Sequence, residues 1–477
     1  MLFSSLPFLF NFLPLFFVIY FIAKKRSAKN YVLLAFSLIF YAWGEPLYVL
    51  LMIFSIFLNY MFALWISKEQ KQNNASYAKA VVIGAAVSNL IIIGILKYSG
   101  FILGIFGIGA PGITDVPMPI GISFYTFQIL SYVIDVYRKE VPAQKNVFFL
   151  GAYLSGFPQL IAGPIVRYQT IADELENRTE NFGDFAAGFR RFVAGLAKKA
   201  LIANSAAAIA DAVLTTKLGA GGAIIGSVKD YGAIGAWIAI AAYSIQIYFD
   251  FSGYSDMAIG IGRMMGFHYL ENFNYPYIAK SITDFWRRWH ISLSTFFRDY
   301  VYIPLGGNRV PKLKWVRNII IVWGLTGLWH GAAWTFILWG LYFGAILITE
   351  KFLLQKRLEK IPVVCHLYTI ILFVFGWVIF RAENISHIGR IASSMFGANG
   401  SGSFVEMAEK NIIQLPQLLA LAAGIVCSMP VSKYLKKYLE ATLAGKIIID
   451  VFSVAALIYC VFSLAVDSYN PFIYFIF

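Results

Sequence analysis

The chain has 477 residues, of which 59% are hydrophobic and 13% charged, with a mean hydropathy of +0.69. A chain of this composition cannot cover a globule with polar surface, which excludes a soluble protein and makes lipid the covering. The formal charge of +14 then belongs to cytoplasmic loops and anionic headgroups and not to nucleic acid.

Cys365, Cys427 and Cys460 show no CxxC or metal spacing, which argues against a disulfide scaffold, a zinc or other metal site and a cysteine nucleophile. At about 20 residues per span the length leaves room for about ten to twelve helices. The apolar runs are too long for barrel strands, so an all-α polytopic bundle is expected.

The first run, MLFSSLPFLFNFLPLFFVIYFI, lacks a basic leader and a small-residue cleavage site, and reads as a retained span. Lys24, Lys25, Arg26 and Lys29 after it predict a cytoplasmic first loop. Further spans are expected near residues 31–44, 47–66 and 80–97, after which Gly and Pro crowd residues 104–119 and the chain turns or re-enters. Residues 119–168 are apolar but studded with Ser, Gln, Asp, Tyr and Pro, as in a cavity wall. In FGDFAAGFRRFVAGLAKKALIA, Phe185, Phe189, Phe192 and Val193 recur at helical spacing opposite Arg190, Arg191, Lys198 and Lys199. An interfacial helix on the cytoplasmic surface is the expectation, with a core-facing amphipathic helix as the alternative.

A Gly/Ala-rich link, LGAGGAIIGS, leads to IYFDFSGYSDMAIGIGRMMGF. Each aspartate near mid-membrane costs about 2.5 to 3.5 kcal/mol, so Asp250, Ser252, Tyr254, Ser255 and Asp256 are expected to be paired or to face a cavity. They read as site-shaping residues, not catalysts.

Residues 281–341 hold seven of the 11 Trp and two of the five His. Ile282, Phe285, Trp286, Trp289, Leu293, Phe296, Phe297 and Tyr300 form one stripe of an amphipathic helix, with Asp284 and Arg288 an i,i+4 ion pair by spacing. His290 falls on the flank shared with Arg287 and Ser294, at a polar/apolar boundary; Arg298 and Asp299 follow. The turn IPLGGNRVPKLKWVR carries Arg309, Lys312, Lys314 and Arg317, a cation cluster suited to donor phosphates and equally to positive-inside topology. His330 lies next to Trp329 and between glycines, in what reads as one uncharged spanning segment. An ionisable group there is a functional hypothesis by default, and a bundle hydrogen bond is the alternative. A neutral imidazole in that place accepts a proton from an attacking hydroxyl.

PIGISFYTFQILSYVIDVYR, FPQLIAGPIVRY, IYFDFSGYSDMAIGIGRMMGF, ENFNYPYIAKSITDFWRRWHISLSTFFRDYVYIPLGGNR and GLWHGAAWTFILWG resemble the membrane-bound O-acyltransferase (MBOAT) family, and within it the bacterial alginate O-acetyltransferase branch, over roughly residues 1–350. The resemblance implies one membrane-embedded domain, 1–477, with N-terminal spans (1–115), a catalytic core (116–350) and C-terminal spans (351–477). It implies about 11 transmembrane helices plus re-entrant and amphipathic helices around a central funnel, in the bacterial cytoplasmic (inner) membrane. The family's active-site histidines match His290 and His330. The implied activity is transfer of acetyl from acetyl-CoA, a substrate and not a bound cofactor, toward an extracytoplasmic polysaccharide, with a separate SGNH-type partner. His330 would be the general base, and His290 would hydrogen-bond the acceptor or thioester and stabilise the oxyanion. D-alanyl transfer from a carrier protein to teichoic acid, a transporter and a non-catalytic scaffold are the competing readings. GGNR at 306–309 favours the acetyl branch.

Overall fold

The computed structural model describes residues 1–109, 118–215, 217–218, 224–225, 228–354, 361–466 and 469–473. Most of the Gly/Ala-rich link, and residues 110–117 of the Gly/Pro-crowded stretch, lie outside the described residues. The protein is all-α; the strands among the described residues are a single two-residue pair, Lys217–Leu218 with Ile224–Ile225.

The helices that matter below are α1 (Arg26–Gly44), α2 (Tyr48–Lys71), α3 (Ala75–Ile93), α4 (Phe182–Ala197), α5 (Gly232–Met264), α6 (Ile282–Arg288), α7 (Ile291–Phe297), α8 (Lys312–His330), α9 (Trp334–Thr349) and α10 (Pro362–Arg381). Among the described residues seven helices are long and apolar enough to cross a membrane, or eight if the bent pair Leu415–Cys427 and Val431–Leu439 is one span. The resemblance implied about eleven. The helices α1 and α8, each of 19 residues with a basic first turn, are not among the seven.

The chain forms two compact units: Met1–Val193 with Tyr254–Glu271, and Ala194–Gly253 with Asn272–Phe477. In the first unit, α1 to α3 match the spans expected at 31–97. Asn59 on α2 and Asn89 on α3 exchange side-chain amide bonds of 3.1 and 2.7 Å, satisfying two polar groups that would otherwise be stranded at depth. The segment expected to lie in the interface is instead packed into the core. Phe192 and Val193 on α4 are 3% and 1% exposed. A Cβ on Gly188 would stand 2.5 Å from the Gly260 carbonyl of α5, and one on Gly260 would stand 2.6 Å from the Gly188 carbonyl. Small residues at this crossing let the two backbones touch. With the residues after it, α4 makes an apolar helix over Phe182–Leu214.

In the second unit, α8 and α9 are an antiparallel hairpin, not one span. The chain is extended at Gly331 and Ala333, so α8 ends at His330 and α9 starts at Trp334. The apolar pattern continues through the turn, which is why the sequence reads as unbroken. Gly327 and Gly340 allow the close packing: a Cβ on either would meet a carbonyl of the facing helix, Phe336 O at 2.3 Å or Trp323 O at 2.2 Å. The hairpin tip is buried, with Trp329, His330, Thr335 and Phe336 all inside.

Candidate active site

The amphipathic stretch expected to be one helix is two short ones, broken at Trp289 and His290. The first, α6, is anchored at its start. Ser281 Oγ accepts from Asp284 N at 3.0 Å, and the buried Glu350 carboxylate accepts from Ile282 N (2.6 Å), Thr283 N (2.9 Å) and Thr283 Oγ1 (2.6 Å). Asp284 and Arg288 form the ion pair their spacing suggests, at 2.8 Å. The helix then stops because residues 272–274 supply the partners a continuing helix would have used. Asn274 N donates to Arg288 O at 2.9 Å, and Ile291 N donates to Asn272 O at 3.0 Å. Between those bonds His290 takes φ +44°, ψ 55°. A non-glycine residue there costs of order 1–3 kcal/mol and persists only where its surroundings hold it.

His290 is 1% exposed. Its Nδ1 is 3.2 Å from Asn272 Oδ1, and its ring stands edge-on to Phe251 at 4.6 Å between centroids. Burial pushes the imidazole's pKa down to about 3, so it is neutral at working pH. His330, at the hairpin tip, is ringed by Trp329, Trp339 and Phe380, with centroids 4.8, 5.0 and 5.1 Å away and each ring near a right angle to it. Trp329 reaches both imidazoles, since its ring is also 5.7 Å from that of His290.

Both histidines line one cavity of about 600 Å³. Trp286, Trp289, Leu293, Phe297, Trp315 and Trp323 make its apolar wall, with Ser281, Thr283, Ser294, Thr326 and Tyr302 as polar points. Lys280, Arg287, Arg298 and Lys351 are its cations and Asp284 and Glu350 its acids. Both acids are already engaged, with Arg288 and with the start of α6. Arg298 is paired with Asp299 at 2.6 Å. No carboxylate among the described residues pairs with Lys280, Arg287 or Lys351, so the cavity is electropositive. On its other side His330 borders a void of about 10 Å³ enclosed by Phe251, Trp377, Phe380 and Ile473 among others, too small for more than one water.

The cavity thus gathers His290, His330, Asp284, Trp286, Arg287, Trp289, Ser294 and Arg298 from the residues singled out in the sequence. Trp329 contacts both imidazoles without lining it, and Arg288 and Asp299 act as ion-pair partners behind it. The basic turn does not line it: Arg309, Lys312, Lys314 and Arg317 are exposed, Arg317 bonds Asn318 Oδ1 at 2.9 Å, and Lys312 lies over the Phe352 ring. Asp250 and Asp256 are held in ion pairs. Asp250 is in a buried ion pair with Lys199 (2.7 Å) and accepts from Ile473 N (2.8 Å), holding the segment that closes the void behind His330. In the first unit, Asp256 pairs with Arg191 at 2.7 Å and Tyr254 stacks on Phe3 at 4.4 Å. Asn272, Glu350, Lys280 and Lys351 were not foreseen. Their roles depend on contacts 18 to 68 residues away or on a cavity wall, and no local pattern marks them.

A family model described as MBOAT, membrane-bound O-acyltransferase family, matches residues 36–389. A probable alginate O-acetylase AlgI of Azotobacter vinelandii is 41% identical over 431 residues, 88% of this chain and 83% of that protein. A peptidoglycan O-acetyltransferase of Helicobacter pylori is 37% identical over 84% of this chain and 80% of that protein. A teichoic acid D-alanyltransferase of Bacillus subtilis is 28% identical over 56% of this chain and 70% of that protein. The match begins in α1 and runs past α10, taking in both histidines and every helix of the cavity, and the chain belongs to the membrane-bound O-acyltransferase family.

Proposed function

We propose that the protein is an O-acetyltransferase of the bacterial cytoplasmic (inner) membrane, which takes acetyl from acetyl-CoA toward the hydroxyls of an extracytoplasmic polysaccharide. An SGNH-type partner outside the membrane completes the transfer. The observation that carries this reading is the single cavity of about 600 Å³ on which two buried imidazoles open, with tryptophan walls and with Lys280, Arg287 and Lys351, which no carboxylate among the described residues pairs. The alginate and peptidoglycan acetylating relatives support the polysaccharide as acceptor.

In the chemistry, His330 takes the proton of the attacking hydroxyl as the new C–O bond forms at the acyl carbon. The thioester C–S bond breaks, and the proton is returned to the departing thiolate. The tryptophan wall excludes water, which would otherwise compete as acceptor. Lys280, Arg287 and Lys351 hold the donor's phosphates. That cluster favours a nucleotide donor over the D-alanyl alternative, since a carrier-borne phosphopantetheine arm brings a single phosphodiester.

The test is turnover by purified protein in proteoliposomes, read as thiol release from acetyl-CoA and as acetyl captured by an alginate oligosaccharide. Wild type turns over and His330→Ala does not. Turnover only with a D-alanyl carrier protein, or undiminished transfer by His330→Ala, overturns the reading.

A further inference from the structure

We infer that Asn272 is a positioning residue that fixes the tautomer of His290, so that Nδ1 carries the proton and Nε2 offers a lone pair to a substrate N–H or O–H; this rests on the acyl-transfer reading above. The backbone N–H of Ser292 can only donate, and it points at the Asn272 side chain from 3.1 Å, so the amide atom facing it is the oxygen, Oδ1. That same oxygen is 2.9 Å from Ser292 Oγ and 3.2 Å from His290 Nδ1. A carbonyl oxygen only accepts, so Nδ1 is the protonated nitrogen.

A neutral imidazole has one N–H, and Nε2 is therefore a bare acceptor. Burial lowers the His290 pKa and keeps the ring neutral. Nε2 is buried and has no hydrogen-bond partner among the described residues, a state that costs about 1–3 kcal/mol until a donor arrives. Asn272 and Ser292 close the Nδ1 edge, Phe251 and Trp329 pack against the ring, and the residue lines the cavity. Nε2 is the polar atom left for a ligand.

This tautomer reverses the role expected from the sequence: Nε2 does not donate to an oxyanion. It accepts, either from a sugar hydroxyl beside the one attacked or from an amide N–H of the donor's pantetheine arm. Asn272 does two jobs from one place, since its backbone carbonyl also accepts from Ile291 N and secures the strained conformation at His290.

The experiment compares His290→Gln with His290→Asn, and Asn272→Asp with Asn272→Ala, in proteoliposomes with labelled acetyl-CoA and an alginate oligosaccharide, with His330→Ala as reference. The Gln amide reaches the Nε2 position and the Asn amide only that of Nδ1, so His290→Gln is expected to keep about tenfold more kcat/KM than His290→Asn. A rise in the KM of acetyl-CoA in His290→Asn identifies the pantetheine amide as the donor, and a rise in that of the oligosaccharide identifies the hydroxyl. Asn272→Asp keeps the acceptor and sets a carboxylate against Nδ1–H, which raises the imidazole pKa. Its activity then falls as pH drops through that pKa, where wild type is flat. Asn272→Ala loses about tenfold or more without gaining such a limb. His290→Asn equal to or better than His290→Gln, or an Asn272→Asp profile that overlays the wild type, overturns the tautomer. Undiminished transfer by His330→Ala instead overturns the acyl-transfer reading itself.

Discussion

Gly340→Ala puts one methyl group into the α8–α9 hairpin at its tightest point. The new Cβ would lie 2.2 Å from the Trp323 carbonyl oxygen, whereas ordinary contact begins at 3.4 Å. The shortfall is about 1.2 Å, and the oxygen belongs to helix backbone while the Cβ is fixed directly to it, so no side chain can swing away to absorb it. The helices must part by about an ångström, and the hairpin tip carrying His330 moves with them. Misplacing a catalytic group by about 1 Å costs about 10²-fold in rate, so Gly340→Ala is expected to lose about that much acetyl transfer. The assay is transfer from labelled acetyl-CoA in isolated membranes, normalised to the amount of protein. The control is Gly324→Ala on the facing helix α8, where nothing lies within 4 Å of the new Cβ and activity should stay within about twofold of wild type. Wild-type activity in Gly340→Ala, or an equal loss in Gly324→Ala, would refute the reasoning.

Other parts of the site make separable predictions. Glu350→Ala removes the acceptor of three donors at the start of α6. At about 1–3 kcal/mol for each donor left buried, it should lower the melting temperature of the detergent-solubilised protein well below that of Glu350→Gln, which keeps one acceptor oxygen. Lys199→Met leaves Asp250 buried without its counter-ion, a loss of about 3–5 kcal/mol. Adding Asp250→Asn should recover part of it, because an asparagine still accepts from Ile473 N; equal melting temperatures for the single and double variants would contradict this. Replacing Lys280, Arg287 and Lys351 together by Gln should raise the KM of acetyl-CoA by about tenfold or more with kcat little changed, and the difference should shrink in high salt.

How much of this is legible in the sequence depends on the range of the interactions. The helices α1 to α3 and the Asp284–Arg288 pair follow from runs and spacings within one helix, and they stand where expected. At both histidines the helical reading fails. A helical stripe continues across His290, yet the helix breaks there because Asn272 and Asn274, remote in sequence, take over its backbone partners. An apolar run continues across His330, yet the chain folds back because glycines at 327 and 340 let two helices touch. Periodicity reports which face is apolar; it carries no information on where a distant segment substitutes for the next turn. The basic turn after α7 illustrates the converse: four cations close in sequence stand outside the cavity, while Lys280, Arg287 and Lys351, far apart in sequence, share its wall. Positive charge near a span follows from topology alone, so clustering in sequence does not by itself mark a cavity wall.

In the proposed reaction the hairpin tip carries the acyl-transfer base. That assignment is tested most directly by the acetyl content of the exported polysaccharide in cells whose only copy of the protein is His330→Ala, at membrane levels matched to wild type. A polymer without acetyl groups is expected. A normally acetylated polymer at equal protein level would contradict the assignment.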